Sequence, residues 1–245
     1  MSNLKILIFH LIIIGIAFSC VPHRKIVYLQ KNGEIKSDTI IPMKDSYKIQ
    51  SGDILSISIT SFNPEATDFF NPKTDNKLGG YFVFPSGYIR FPILDSVYVK
   101  DLTIFQIQDS LTKFVGEHTS KPYIIVNLAN FKFTVLGEFG TKGTVQSANN
   151  ELTILEAIAL AGDMSDLADK KHVKLLRKVG EKTLIITLDV TNRDIMQTQY
   201  FYIHPNDVIY AEPLKIKALR TNISQISTYV GLLSFALLIY NYIPK

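Results

Sequence analysis

Residues 222–244 constrain the fold most, because this apolar stretch contains no charged side chain. At about 1.5 Å per helical residue it reaches the roughly 30 Å thickness of the hydrocarbon core of a bilayer. The pattern predicts a transmembrane helix over residues 222–243. Small and polar residues recur at helical spacing along one face of it: Ser224, Ser227, Gly231, Ser234 and Asn241. We expect this stripe to line a pore or to pack against other helices. The alternative is a plain anchor in which the small residues have no role.

The first nineteen residues have the pattern of a secretory signal peptide. Lys5 is followed by an apolar run at 6–16 and then by small residues before Cys20. Cys20 is the only cysteine, so an intramolecular disulfide is excluded. Its position resembles a bacterial lipoprotein box, which predicts a lipid on Cys20 and a lipidated tether over residues 20–46. An ordinary secretory signal is the alternative.

The charges beside the predicted membrane helix bear on its location. Lys215, Lys217 and Arg220 precede the helix, whereas only Lys245 follows it. In the inner membrane an exported domain would place this basic cluster on the outside, against the positive-inside rule. The sequence therefore favours the outer membrane, with the domains in the periplasm.

The composition favours a folded, exported protein without nucleic-acid or catalytic signatures. Hydrophobic residues make up 47%, enough for a sizeable core, and the net charge is only +4. No Lys/Arg run alternates with aromatic residues, so nucleic-acid binding has little support. The histidines lack metal-ligand spacing, and no nucleophile elbow or phosphate-binding glycine loop is present. The sequence thus predicts no enzyme activity, no metal and no cofactor.

Alternating and capping patterns predict an α+β fold. Leu55, Ile57 and Ile59 alternate with small polar residues, which is typical of a half-buried strand. Thr103 with Gln106, and Thr153 with Glu156, are capping boxes that predict two helix starts. Further strands are expected in the following segments: 123–128, 133–136, 173–176, 184–188 and 207–210.

Two short segments share a pattern. Residues 49–55 and 203–209 both read apolar, two spacers, Gly or Asn, Asp, and two aliphatic residues. Asn is a common substitute for Gly where positive φ is required. We therefore expect Gly52-Asp53 and Asn206-Asp207 each to form a turn that leads into a strand, in two related α+β units.

Six segments resemble, in the same order, the outer-membrane polysaccharide export lipoproteins of the Wza type (the OPX family), and most of all their compact Bacteroidetes-style members. The segments are YKIQSGDILSI (47–57), GYFVFPSGYIRFP (80–92), VKDLT (99–103), KFTVLGE (132–138), LTILEAIALAG (152–162) and PNDVIY (205–210). The sequence departs from the family at Asp95, where Gly is usual, and at Lys142-Gly143, where Pro-Gly is usual. Those departures affect local turns.

The resemblance implies an α+β architecture of two domains and one membrane helix. Residues 47–130 would form a polysaccharide biosynthesis/export (PES) domain, and residues 131–213 a β-grasp (SLBB) domain. The implied function is non-enzymatic export of capsular or exopolysaccharide through a homo-oligomeric ring. In such a ring the C-terminal helices form the pore, and an inner-membrane copolymerase with a tyrosine autokinase is the partner.

Two other functions remain open at this stage. A periplasmic lipoprotein that binds a small molecule in the β-grasp domain would be a monomer with a pocket. A carbohydrate-active enzyme would bring two carboxylates together in a cleft, which folding could do without a sequence signature.

Overall fold

The computed structural model describes residues 27–30, 39–43, 46–61, 70–71, 80–91, 96–119 and 121–217, together with 231, 232, 235 and 239. The strands in chain order are β1 (Ile54–Thr60), β2 (Tyr81–Phe82), β3 (Tyr88–Ile89), β4 (Val97–Tyr98), β5 (Tyr123–Leu128), β6 (Lys132–Gly137), β7 (Gly143–Gln146), β8 (Leu152–Thr153), β9 (Ala168–Val179), β10 (Lys182–Leu188), β11 (Tyr202–Ile203) and β12 (Val208–Pro213). The helices are α1 (Ile104–Gly116), α2 (Ile154–Leu160) and a 3₁₀ helix (Arg193–Gln197). The mixed α and β character predicted from the sequence is confirmed.

The first unit is a three-stranded antiparallel sheet covered by α1. Strand β1 lies between β2 and β5, and its alternate residues Leu55, Ile57 and Ile59 are buried. The predicted capping box opens α1: the Thr103 hydroxyl accepts from the Gln106 amide, and the Gln106 side chain accepts from the Thr103 amide. The apolar side of α1 packs against β5 and closes this half of the core.

The second unit is a five-stranded mixed sheet in the order β10-β9-β12-β6-β7. Strand β12 runs parallel to β6 and antiparallel to β9, so the chain crosses over between β6 and β12. Helix α2 lies in that crossover and begins at the second capping box, in which Thr153 and Glu156 bond to each other's backbone amides. Gly162 ends the α2 segment with φ 73°. This arrangement places the C-terminal strand in the middle of the sheet.

The two units share one hydrophobic core. Its buried side chains run without interruption from β1, β5 and α1 into β6, β9 and β12. Phe131 and Phe133 are among the largest fully buried side chains, and they lie where the chain leaves the first unit for the second. The boundary between the units is therefore a packed contact.

Part of the predicted tether lies against the second unit. The amides of Leu29 and Gln30 donate to the backbone carbonyls of Val190 and Thr191. The ammonium group of Lys170 lies 4.1 Å from the centre of the Tyr28 ring, and Lys170 is itself buried. At residues 27–30 the chain is thus bound to the folded domain.

The predicted membrane helix falls largely outside the described residues. Within the described part of the chain, no helix is long and apolar enough to cross a membrane. Gly231, Leu232, Phe235 and Ile239 are described; they are helical and exposed. The remaining positions of the predicted stripe lie outside the described residues: Ser224, Ser227, Ser234 and Asn241. Cys20 and the signal segment also lie outside the described residues.

Candidate functional site

The first of the two matching segments forms a turn closed by its own aspartate. Gly52 has φ 95°, and the Asp53 amide donates to the Gln50 carbonyl over 3.2 Å. The buried Asp53 carboxylate then accepts the Gln50 amide at 2.8 Å and the Tyr47 hydroxyl at 2.9 Å. The chain continues directly into β1, so this turn fixes the start of the central strand of the first unit.

The second segment repeats this geometry. Asn206 has φ 65°, and the Asp207 amide donates to the His204 carbonyl over 3.2 Å. The Asp207 carboxylate accepts the His204 amide at 2.7 Å, as Asp53 accepts the amide of Gln50. Strand β12 follows at once. Asn stands where the first turn has Gly because both turns need positive φ at this position.

The second turn differs in that it holds a buried cation. Arg177 of β9 donates from Nε to both Asp207 oxygens at 3.2 Å, and from Nη2 to one of them at 2.8 Å. Nη2 also donates to the Tyr202 carbonyl at 2.9 Å, and the guanidinium carbon lies 5.9 Å from the centre of the Tyr200 ring. The side chains of Arg177 and Asp207 are 6% and 1% exposed. Such a pair is favourable only when its hydrogen bonds are well made, as they are here.

The two turns meet at the boundary between the units. The Tyr47 ring stands edge-on to His204, with centroids 5.4 Å apart. Asn130 secures the first turn, since its side chain accepts from the Ile54 amide and donates to the Gly52 carbonyl. The Asn206 amide donates to the carbonyl of Lys132, the first residue of β6 in the same unit. We call this set of residues, the two turns with Tyr47, Asn130 and Arg177, the joint.

The titratable groups of the joint serve as hydrogen-bond partners. Burial raises the pKa of Asp53 and of Asp207, and the hydrogen bonds that each carboxylate accepts oppose that rise. Burial also raises the pKa of Tyr47, and the Asp53 carboxylate raises it further, so the hydroxyl remains a donor at neutral pH. In the described part of the chain every buried side-chain polar atom has a partner. The geometry is structural: each carboxylate closes the turn of its own unit, and the two turns touch through Tyr47 and His204.

Metal ligation has no candidate among the described residues, where no group of three His, Cys, Asp or Glu side chains could hold an ion. The sequence paired Gly52-Asp53 with Asn206-Asp207, and the structure brings the two turns together. Arg177 and Asn130 were missed, because an ion pair across 30 residues and an amide that bridges 76 residues have no sequence signature.

A second feature is an exposed surface formed by β2, β3 and β4 with their connections. The Phe84 amide donates to the Tyr88 carbonyl, and Tyr88 pairs with Tyr98, so three successive extended segments lie side by side. Val83 and Ile89 point into the core, and the intervening side chains share the opposite face. We call these side chains the aromatic face: Phe82, Phe84, Tyr88, Arg90 and Tyr98.

The aromatic face borders a cleft of about 550 Å³. Phe84, Tyr88 and Arg90 line the cleft, together with the hydroxyl-bearing Ser86 and Ser96. The guanidinium carbon of Arg90 lies 5.6 Å from the centre of the Phe84 ring. In the sequence this stretch appears only as one of the six family-like segments, GYFVFPSGYIRFP (80–92). The sequence signal that could have predicted this face is the alternation of aromatic and aliphatic residues along the stretch.

Comparison with known proteins assigns the first unit. Residues 42–129 match the family model described as polysaccharide biosynthesis/export protein. This part of the chain is similar to polysaccharide biosynthesis/export domains. The match covers the first turn, the three-stranded sheet, α1 and the aromatic face. The resemblance drawn from the sequence motifs is thereby confirmed.

A curated relative extends the similarity into the second unit. The chain is 23% identical to the EPS I polysaccharide export outer membrane protein EpsA of Ralstonia solanacearum, over 72% of this chain and 50% of the relative. The chain thus spans about half the length of that relative. The export family consists of transport conduits and is not an enzyme family.

Proposed function

We propose that this protein is the subunit of an outer-membrane channel that exports capsular or exopolysaccharide as a non-enzymatic conduit. The observation that carries the proposal is the export domain over residues 42–129. The relative, an outer membrane protein, supports the same location for this chain. The polymer would cross the membrane through a water-filled path, which avoids the desolvation of its many polar groups in hydrocarbon.

The joint supports a role as a building block of a ring. A cyclic ring needs head-to-tail contacts with a fixed rotation between neighbours, and that rotation is set by the shape of each subunit. The Tyr47–His204 ring contact and the shared core pack one unit on the other. The buried Arg177–Asp207 pair and the bridge through Asn130 each hold the turn of their own unit in place. In the proposal the second unit is a β-grasp (SLBB) domain that packs against neighbouring subunits and faces an inner-membrane copolymerase with its tyrosine autokinase.

The described residues of the C-terminal segment support its proposed place in the membrane. Leu232, Phe235 and Ile239 lie on one side of a helix and are 61%, 63% and 47% exposed. Exposure of large apolar side chains at this spacing is unfavourable in water, so lipid or other helices would cover them. Gly231 lies beside this apolar face, where the small residues of the stripe would turn toward a pore or a neighbouring helix.

Removal of residues 222–245 tests the pore. In a host that lacks its own copy of this protein, we expect the full chain to restore surface polymer and the truncated chain to leave polymer in the periplasm. Surface and periplasmic polymer are measured after cell fractionation, and the detergent-extracted full chain is sized by light scattering. A variant that lacks only residues 244–245 is the control and should export normally. Normal surface polymer with the long truncation would contradict a pore role for the helix.

Sizing of the extracted full chain tests the alternative function. If the full chain is a monomer that binds a small ligand, a periplasmic binding lipoprotein is favoured instead.

Cys20→Ser tests the lipid anchor. Because acyl transfer requires the thiol, we expect incorporation of labelled palmitate to disappear and the protein to become less firmly attached to membranes. Ser19→Gly is the matched control, since it keeps a small residue before the cleavage site and should retain the label. Undiminished labelling of Cys20→Ser would show that the lipid is not on this residue.

A further inference from the structure

We propose that the aromatic face binds a saccharide unit that carries a carboxylate, with the rings against the sugar and Arg90 on the acid. The inference rests on the proposed export function, because the bound saccharide would be part of the exported polymer. It assigns a substrate class and a contact surface to the first unit.

The exposure of the rings is the first argument. Phe82, Phe84, Tyr88 and Tyr98 are 45%, 37%, 43% and 46% exposed, although they alternate with fully buried residues. These four rings form two contacting pairs on one side of three neighbouring extended segments and make that side largely aromatic. Such a surface on a folded domain marks an interaction site, since the exposure of large apolar side chains to water is unfavourable.

The arrangement of the rings is the second argument. Phe82 meets Phe84 at 83° with centroids 5.4 Å apart, and Tyr88 meets Tyr98 at 71° and 5.1 Å. In each edge-to-face pair one ring holds the other in place and leaves a ring face exposed. A pyranose ring has an apolar patch of C–H groups that fits a ring face, while its hydroxyls lie at the edge. Tyr88, Ser86 and Ser96 line the cleft, and each carries a hydroxyl that can bond to that edge.

The turn beneath the rings holds this arrangement. Gly87 has φ 87°, and a Cβ there would lie 2.7 Å from the Tyr98 ring and 2.9 Å from the Lys100 Cβ. The Tyr98 ring therefore rests directly on the backbone of the turn. The cleft of about 550 Å³ falls within the range of roughly 300–1,000 Å³ typical of small-molecule sites.

Arg90 decides the class of saccharide. In the described part of the chain no Asp or Glu forms an ion pair with it, and its guanidinium lies over Phe84 at the cleft. A guanidinium offers two parallel donors that match a carboxylate, and stacking on an aromatic ring leaves those donors available. The net charge of +4 also favours an acidic polymer over a neutral one.

Binding of oligosaccharides of equal length tests the proposal. The full chain in detergent is titrated calorimetrically with oligogalacturonate, which carries carboxylates, and with malto-oligosaccharide, which is neutral. We expect the acidic oligosaccharide to bind about tenfold or more tightly than the neutral one. Arg90→Gln should remove that preference, and Phe84→Ala and Tyr88→Ala should weaken binding of both. Phe105→Ala is the matched control, because Phe105 is an aromatic residue of α1 that is 76% exposed. This variant should bind both oligosaccharides as the native chain does.

Two results overturn the proposal. Equal binding by the native chain and by folded Arg90→Gln and Phe84→Ala, verified by circular dichroism, would place the saccharide elsewhere. Loss of the assembled ring in Phe84→Ala, without saccharide binding by the native chain, would make the face a contact between subunits. The proposed export function is tested separately, by measuring surface polymer and by sizing the native chain. An exporter with a different polymer-contacting surface is thus distinguishable from a protein that is no exporter.

Discussion

Asp207→Ala is expected to lower the free energy of unfolding by about 3–5 kcal/mol, the range found when one partner of a buried ion pair is removed. The guanidinium of Arg177 would remain buried without its anion, and the His204 amide would lose its acceptor. Thermal and denaturant unfolding of the full chain in detergent, followed by circular dichroism, measures the loss. Because His204 in this turn contacts Tyr47 of the first unit, ring assembly should decrease in parallel.

The first turn provides the matched control. Asp53→Ala removes the corresponding carboxylate, but Asp53 accepts only the Gln50 amide and the Tyr47 hydroxyl. We expect a smaller loss of about 1–3 kcal/mol, the cost of leaving buried donors unsatisfied. The double variant Arg177→Met/Asp207→Leu should recover part of the stability lost in Asp207→Ala, since no charge then remains buried. A loss in Asp207→Ala no larger than that in Asp53→Ala would contradict this account of the joint.

Gly137→Ala is expected to lower the free energy of unfolding by about 2–6 kcal/mol, from backbone strain and overpacking of roughly 1–3 kcal/mol each. Gly137 has φ 88° at the end of β6, and it is paired with Ala211 of the parallel strand β12. A Cβ on Gly137 would lie 2.0 Å from the Ala211 carbonyl oxygen and 2.9 Å from the Tyr210 ring. The strands would have to separate at the centre of the second sheet. The same unfolding measurements apply.

Gly180→Ala separates the two contributions. Gly180 also has positive φ, at 61° in the connection from β9 to β10, but a Cβ there would meet nothing within 4 Å. Only backbone strain of about 1–2 kcal/mol is therefore expected. Equal losses in the two alanine variants would show that the close approach of β6 and β12 at Gly137 is unimportant.

The sequence determined the elements whose signals are local. Each capping box needs only two side chains within one turn of helix, so both helix starts could be predicted at Thr103 and Thr153. Strand β1 has one more buried and one more exposed side, and the alternation of apolar and polar residues is visible within its seven residues. The equivalence of Gly52 and Asn206 followed from backbone sterics alone, and both residues have positive φ.

Strand β9 shows where local signals fail. It runs from Ala168 to Val179, whereas the pattern predicted only residues 173–176. Its ends carry charged side chains. Backbone pairing with β10 extends it to Val179, and pairing of Ala168 with Pro213 of β12 fixes its other end; such pairing depends little on the side chains. The short strands β7, β8 and β11 were likewise not predicted, because each is defined by its partner strand.

Only the tertiary structure decided which residues make up the joint and the aromatic face. Arg177 and Asp207 meet because β9 and β12 are neighbours in the sheet, and Asn130 reaches Ile54 because the chain returns to the first turn. The aromatic face exists because three short segments lie side by side with the same alternation. Contacts between residues distant in the chain depend on strand order and register, and single-sequence periodicity carries no information about either. The similarity to the export family could thus be recognised from sequence motifs, whereas the contacts of the joint and the aromatic face required the fold.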